Sequence, residues 1–165
     1  MKTEMLMSDQ GVANLIKWEG SMTHKYRDSA GLWTIGVGHL LTKSELASGE
    51  LLIGPLWIIT PYGKGISDDT VAALLRQDLD DAETAVTARV KIKLEQFQYD
   101  VLVSFTFNVG VRAFATSTLL KCINSGEFND VPFQLKRWNR SGGRVVQGLI
   151  NRRLKEVGVW ETGYV

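Results

Sequence analysis

Three side chains between positions 19 and 34 carry the groups that acid–base chemistry on a sugar would need: Glu19, Asp28 and Thr34. Glu19 closes an amphipathic segment. The negative end of a helix macrodipole disfavours an ionised carboxylate there. Its neighbours Ile16 and Trp18 would push its pKa up further if it is buried. A carboxyl kept protonated in this way can act as a general acid. Nine residues on, Asp28 opens the turn Asp28-Ser-Ala-Gly31, where an aspartate ordinarily bonds its own backbone. Six residues later, Thr34 lies on a returning strand, where β propensity alone explains it. Each residue therefore has a purely structural reading. As a set, an acid, a second carboxylate and a water-positioning hydroxyl are the parts of a glycoside-hydrolysing site.

The elements that must hold this set are legible to different degrees. Ser8 or Asp9 is an N-cap, Val12, Leu15, Ile16 and Glu19 share one helical face, and Gly20 ends that helix. His24–Arg27 and Leu32–Val37 read as the strands of a hairpin, with Gly36 and Gly38 bracketing Val37. Ser44–Gly65 is the least legible stretch. Its first part suits a short helix, and Leu51–Ile59 is equally compatible with a helix, a strand or a buried loop. Ser67-Asp-Asp caps a long helix predicted over 67–86. Helices are then expected over Leu94–Phe107, Ser117–Asn124, Phe128–Trp138 and Asn151–Val159, with a turn over Arg140–Gly148. The order is α+β: a small sheet after one helix, a connecting helix, then a mainly helical half.

Composition narrows the class. The 165 residues are 44% hydrophobic and 22% charged, the balance of a globular protein rather than a disordered or fibrous one. A single cysteine, Cys122, excludes an intrachain disulfide and reads as a small buried hydrophobe. Two histidines, His24 and His39, offer little to a metal, and neither metal nor cofactor is expected. Residues 1–85 hold 7 Lys+Arg against 12 Asp+Glu, a net −5, and residues 86–165 hold 12 against 6, a net +6. The basic half favours a polyanionic partner, although it contains no nucleic-acid-binding motif. The first twenty residues lack the apolar run of a signal peptide, and no stretch reaches the roughly 18 apolar residues of a membrane span. The expectation is a chain whose synthesis ends in the cytoplasm, without stable membrane insertion.

Longer motifs carry a resemblance. Glu19-Gly20, Tyr26-Arg27-Asp28, Gly31, Thr34-Ile35-Gly36-Val37-Gly38-His39 and Leu40-Leu41-Thr42-Lys43 resemble the phage-type lysozymes (endolysins) of glycoside hydrolase family 24. Gln98-Tyr99-Asp100, Val103–Gly110, Ser117-Thr118-Leu119-Leu120, Trp138, Gly142-Gly143, Gly148-Leu149 and Arg152-Arg153 extend the similarity over residues 10–160. The resemblance implies a lysozyme-like fold in which a small N-terminal lobe (12–70) and a helical C-terminal lobe (90–165, with the N-terminal helix) are joined by the helix at 67–86. A cleft is implied between the lobes. It implies a muramidase cutting the β-1,4 bond between N-acetylmuramic acid and N-acetylglucosamine in peptidoglycan.

By carry-over Glu19 is the general acid, and Asp28 and Thr34 position water. Gly38, Leu40, Phe107, Asn108, Thr118 and Arg152 become substrate-binding positions, Arg152 also as a partner for Glu19. His39 becomes a structural residue paired with Asp78, which would raise its pKa. Carboxyls roughly 6.5–9.5 Å apart would give inversion. The competing readings are a non-catalytic peptidoglycan-binding module and a lytic transglycosylase. Both fit less well while Asp28 and Thr34 accompany Glu19. The sequence departs from the family pattern at Leu51–Ile59, which is unusually apolar and fits a packed segment, a flap or a membrane-touching patch. Trp138 is expected in the core, Trp33 and Trp57 in the core or facing the cleft, and His24 exposed.

Overall fold

A computed structural model describes residues 4–164. The chain divides into two compact units, one of residues 12–80 and the other of the residues up to Gly11 together with those from Asp81 onward.

The 12–80 unit starts within α1 (Asp9–Glu19). Ser8 caps this helix, its Oγ accepting the Gly11 N–H at 3.1 Å. Gly20 ends it at φ 75° with its N–H on the Ile16 carbonyl, a conformation that costs glycine little. Three strands follow, β1 (Met22–Arg27), β2 (Trp33–Gly36) and β3 (His39–Leu40), antiparallel in that order. Tyr26, Thr34 and Leu40 lie side by side across this sheet. Helix α2 (Lys43–Ser48) has a full capping box between Thr42 and Glu45. β4 (Glu50–Ile53) and β5 (Ile58–Pro61) then pair as a separate hairpin, and α3 (Asp68–Asp78) packs on the three-stranded sheet and on β4. Val12, Leu15, Ile35, Val37, Leu51, Ile53, Val71, Leu74 and Leu75 are buried and form this unit's core.

The loop before α3 has one close approach. Gly65 has φ 90°, and a Cβ there would lie 2.8 Å from the His24 ring. Gly65→Ala is therefore expected to destabilise the protein by about 1–3 kcal/mol, a cost of backbone strain plus displacement of the ring. Thermal melting of the variant beside wild type checks this.

The other unit is helical. It contains α4 (Asp80–Arg89) from Asp81 onward, α5 (Gln96–Val109), α6 (Val111–Ala115), α7 (Thr118–Asn124), a 3₁₀ turn at Phe128–Asp130, α8 (Val131–Lys136) and α9 (Gln147–Thr162). Helix α5 is buried continuously from Tyr99 to Thr106 and packs along α9, which also lies along α8. One carboxylate gathers distant parts of the chain. Asp100, 1% exposed, accepts the Ser8 N–H at 3.0 Å, the Ser8 hydroxyl, Gln96 Nε2 at 2.9 Å and the Tyr164 hydroxyl at 2.8 Å.

Three expectations change. The helix predicted over 67–86 is two helices, separated at Leu79, where the N–H reaches the carbonyls of both Leu75 and Gln77. Asp78, Asp80 and Asp81 crowd like charge and low helix propensity into one turn, and the ladder tightens there. Phe128–Trp138 is a 3₁₀ turn followed by a short helix, with Pro132 in the first turn of α8. The turn over Arg140–Gly148 is a small hairpin, β6 (Arg140–Ser141) and β7 (Arg144–Val145), reversing through Gly142 and Gly143 at positive φ. No helix among the described residues is long and apolar enough to cross a membrane.

Candidate active site

Glu19, Asp28 and Thr34 all belong to the 12–80 unit. Glu19 is the last residue of α1 and is exposed, so the condition of apolar burial is not met in the free protein.

Asp28 and Thr34 are tied to each other through one residue. Asp28 Oδ1 accepts the N–H groups of Ala30 at 2.9 Å and Leu32 at 2.8 Å, and the Asp28 N–H reaches the Leu32 carbonyl at 2.9 Å. The Thr34 hydroxyl donates to that same carbonyl at 3.0 Å. Both sides of Leu32 thus fix the carboxylate and the hydroxyl relative to one another. Oδ1 is committed to the turn, whereas Oδ2 has no protein partner among the described residues. Thr34 is 2% exposed, and its donation to Leu32 leaves an acceptor lone pair on Oγ1. The hairpin surface beside them is cationic: Lys25 Nζ lies 4.7 Å and the Arg27 guanidinium 4.4 Å from the centre of the Trp33 ring.

His39 sits between two acids. Its Nδ1 is 2.8 Å from Asp78 Oδ2, and its Nε2 is 3.0 Å from Glu45 Oε2. Burial works against a charged ring, but hydrogen bonds and charge from Asp78 and Glu45 outweigh it and hold the His39 pKa above its usual value. A raised folded-state pKa stabilises the protein fully below about pH 6.5, the unfolded value, and this contribution fades as pH climbs through the folded value. His39→Gln is therefore expected to lose stability most at pH 5–6 and least at pH 9. Urea unfolding of both proteins across that range measures the difference.

The proposed sugar contacts fall in both units. Gly38 has φ 72° between β2 and β3, and Leu40 is half exposed directly across the sheet from Thr34. In the helical unit Phe107 is half-buried, and the exposed Asn108 accepts Arg153 Nη2 at 2.8 Å. Thr118 is the exposed first residue of α7, after its N-cap Ser117. Two open cavities occur here. One of about 320 Å³ is lined by Thr116, Ser117, Thr118, Gln134, Arg137 and Trp138. Another of about 530 Å³ includes Asn108, Trp138, Arg140, Leu149 and Arg153 in its wall.

Arg152 is 4% exposed and bonds the Ser104 hydroxyl at 3.0 Å, beside the fully buried Glu156. Glu156 contacts Arg153 Nε at 2.6 Å and Arg152 Nε at 3.5 Å, and accepts the Ser104 hydroxyl at 2.6 Å. Burial pushes its pKa up against the pull of both arginines.

Several of these residues were not singled out from sequence. Glu45 as a second partner of His39 lies six residues away across a strand end and a capping box, a spacing with no period. The expectation that Trp138 is core is half of its role. It packs edge-on against Phe105 at 5.4 Å and also lines both cavities. Trp57 is neither core nor covered, being 61% exposed at the end of the β4–β5 hairpin. His24 is exposed, as its strand position suggested. Cys122 is buried, and its thiol comes near Glu127 and Asp130, but burial pushes the thiol pKa up and favours the protonated, non-ligating form.

A small antiparallel sheet bearing Asp28 and Thr34, a helix ending on Glu19 and a helical bundle together define a lysozyme-like α+β protein. The phage lysozyme family model matches residues 16–156, and the chain belongs to that family of peptidoglycan-hydrolysing enzymes. It is 32% identical over 162 residues to the endolysin of Acyrthosiphon pisum secondary endosymbiont phage 1, covering 96% of this chain and 99% of that protein. It is 35% identical to the endolysin of Bacillus phage B103, of which it spans 55% while 96% of this chain is matched. The P22 lysozyme structure superposes with a TM-score of 0.78 at 30% identity, covering 96% of this chain and 99% of that one.

Proposed function

We propose that the protein is a muramidase that hydrolyses the β-1,4 bond between N-acetylmuramic acid and N-acetylglucosamine. In this reading Glu19 protonates the glycosidic oxygen as it leaves. Its exposure means that bound glycan, rather than the protein's own core, supplies the desolvation that keeps an acid protonated. Asp28 Oδ2 faces the positive charge that develops on the sugar and orients the attacking water, which the Thr34 Oγ1 lone pair also holds. The observation that carries this reading is the shared anchorage of Asp28 and Thr34 on Leu32, which presets a carboxylate and a hydroxyl as a pair.

Gly38 and Leu40 would line the same site, Leu40 beside Thr34. In the helical unit Phe107, Asn108, Thr118 and Arg152 are proposed as sugar contacts; Thr118 and Asn108 line the two cavities around Trp138, whereas Phe107 and Arg152 line neither. The basic second half would draw the enzyme to anionic cell-wall polymers. The biological setting that fits is host lysis, with the protein monomeric in the cytoplasm until it is released to the wall.

Digestion of purified peptidoglycan followed by analysis of the sugar ends tests the reaction. Reducing N-acetylmuramic ends are expected. Anhydro ends would make the protein a lytic transglycosylase, and intact polymer that retains the protein would make it a binding module.

A further inference from the structure

From the β4–β5 hairpin we infer a lipid-contacting finger, a surface by which the protein rests on a bilayer independently of its hydrolytic chemistry. Residues 51–63 contain no charged side chain. The hairpin pairs Leu52 with Ile59 and Ile53 with Ile58, and it turns through Gly54-Pro55-Leu56-Trp57. Leu51 and Ile53 point into the unit's core, at 1% and 6% exposure, and so anchor the finger. Leu52, Leu56, Trp57, Ile58 and Ile59 are instead 50–80% exposed. Together they form an apolar patch on the order of 500 Å², near the top of what monomeric proteins leave uncovered. Trp57 has φ 54°, a left-handed conformation that a bulky side chain rarely adopts, so the tip presents its indole against local backbone preference.

Hydrogen bonds hold the arms and the base of the finger. Cross-strand bonds occupy the arms of the hairpin. At the tip the Gly54 N–H donates to Gln77 Oε1 at 3.0 Å, Gln77 Nε2 donates to the Leu52 carbonyl at 3.3 Å, and Pro55 has no N–H. The Leu56 and Trp57 N–H groups have no protein partner among the described residues and stay available to headgroups and water, so the tip rests at the interface rather than in the hydrocarbon.

The composition separates the possible occupants. A sugar platform needs uncommitted amides or carboxylates beside its aromatic ring; positions 51–61 supply none, and the Gln77 amide at the tip is engaged by Gly54 and Leu52. Two such patches face to face would bury about 1,000 Å², the lower edge for a specific interface, and a convex tip offers a second copy no pocket. A bilayer interface needs no pocket. It takes exposed tryptophan, leucine and isoleucine side chains directly, the tryptophan suiting the depth of the headgroups.

Flotation of the full chain with vesicles of phosphatidylcholine alone tests this. Salt of about 0.5 M screens any attraction of the basic half within a few ångströms. Wild type is expected to float with the vesicles. The double variant Leu56→Asp/Trp57→Asp is expected to bind at least tenfold less, with unchanged circular dichroism and melting. Both sites are exposed, and aspartate tolerates the left-handed conformation at 57. Leu154→Asp, at a half-exposed position on α9, should still float. Failure of wild type to float, or equal flotation of the double variant, overturns the inference. So does a dimer seen by sedimentation that the double variant abolishes, which would assign the patch to a second copy.

Discussion

Glu19→Gln is expected to lower peptidoglycan hydrolysis by roughly 10³-fold or more while leaving the melting temperature within a degree or so of wild type. The substitution keeps the shape of the side chain and removes the acidic proton that the leaving oxygen needs. Because Glu19 is exposed at the end of α1, its loss takes nothing from the core. Turbidity clearing of purified cell walls reads the rate, and calorimetry reads the fold. The contrast with Asp28 sharpens the assignment. Asp28→Asn retains an Oδ1 acceptor for Ala30 and Leu32, so the turn survives and the loss falls on turnover. Asp28→Ala removes the acceptor as well and should cost about 1–2 kcal/mol of stability on top of activity. A catalytic Asp28 predicts equal loss of activity in both variants and a stability difference between them. A purely turn-forming Asp28 predicts an active Asn variant.

The largest stability effect is expected from Glu156→Gln. This carboxylate is 0% exposed and neutralises two guanidinium groups that are themselves buried, Arg152 at 4% and Arg153 at 1%. Removing its charge leaves two cations in a medium that solvates them poorly. Breaking such a cluster costs about 3–5 kcal/mol, and at this chain length each kcal/mol lowers the melting temperature by roughly 2–4 °C. A fall of about 10 °C should follow. Replacing the whole cluster with apolar residues of similar volume should cost far less, since no charge would then be stranded. Arg153 adds a second layer, because its guanidinium lies 5.1 Å from the Phe105 ring and also holds Asn108. Glu156→Gln is therefore also expected to loosen the wall of the Asn108–Trp138 cavity.

The sequence is most readable where one residue type has one physical use. Ser8 and Gly20 bound α1, and Asp28-Ser-Ala-Gly31 makes the turn of the β1–β2 hairpin, because caps and turns depend on local chemistry alone. Leu51–Ile59 defeats a reading by periodicity. The strands do alternate, with Leu51 and Ile53 inward and Leu52 outward, but leucine and isoleucine occupy both faces and erase the pattern. The break at Leu79 is hidden because Leu74, Leu75 and Leu79 keep helical spacing straight through it. In the site, the types and spacing of Glu19, Asp28 and Thr34 suggest chemistry, but the bond from Thr34 to Leu32 is invisible in a one-dimensional string. The same is true of Glu45 beside His39 and of Ser104 beside Glu156, which are joined by packing; the Arg152–Glu156 and Arg153–Glu156 pairs do keep helical spacing, but spacing alone does not show that they are buried.

The Asp100 carboxylate has a further consequence for how this chain can be re-engineered. Ser8 from one end of the described chain and Tyr164 from the other bond the same side chain, so both ends are sewn to one point on α5. A short glycine-rich linker could join them with little loss of entropy, and the exposed Gly142–Gly143 reversal offers a place to open new ends. The protein is in this sense topologically close to a ring, and its order of synthesis can be separated from its architecture.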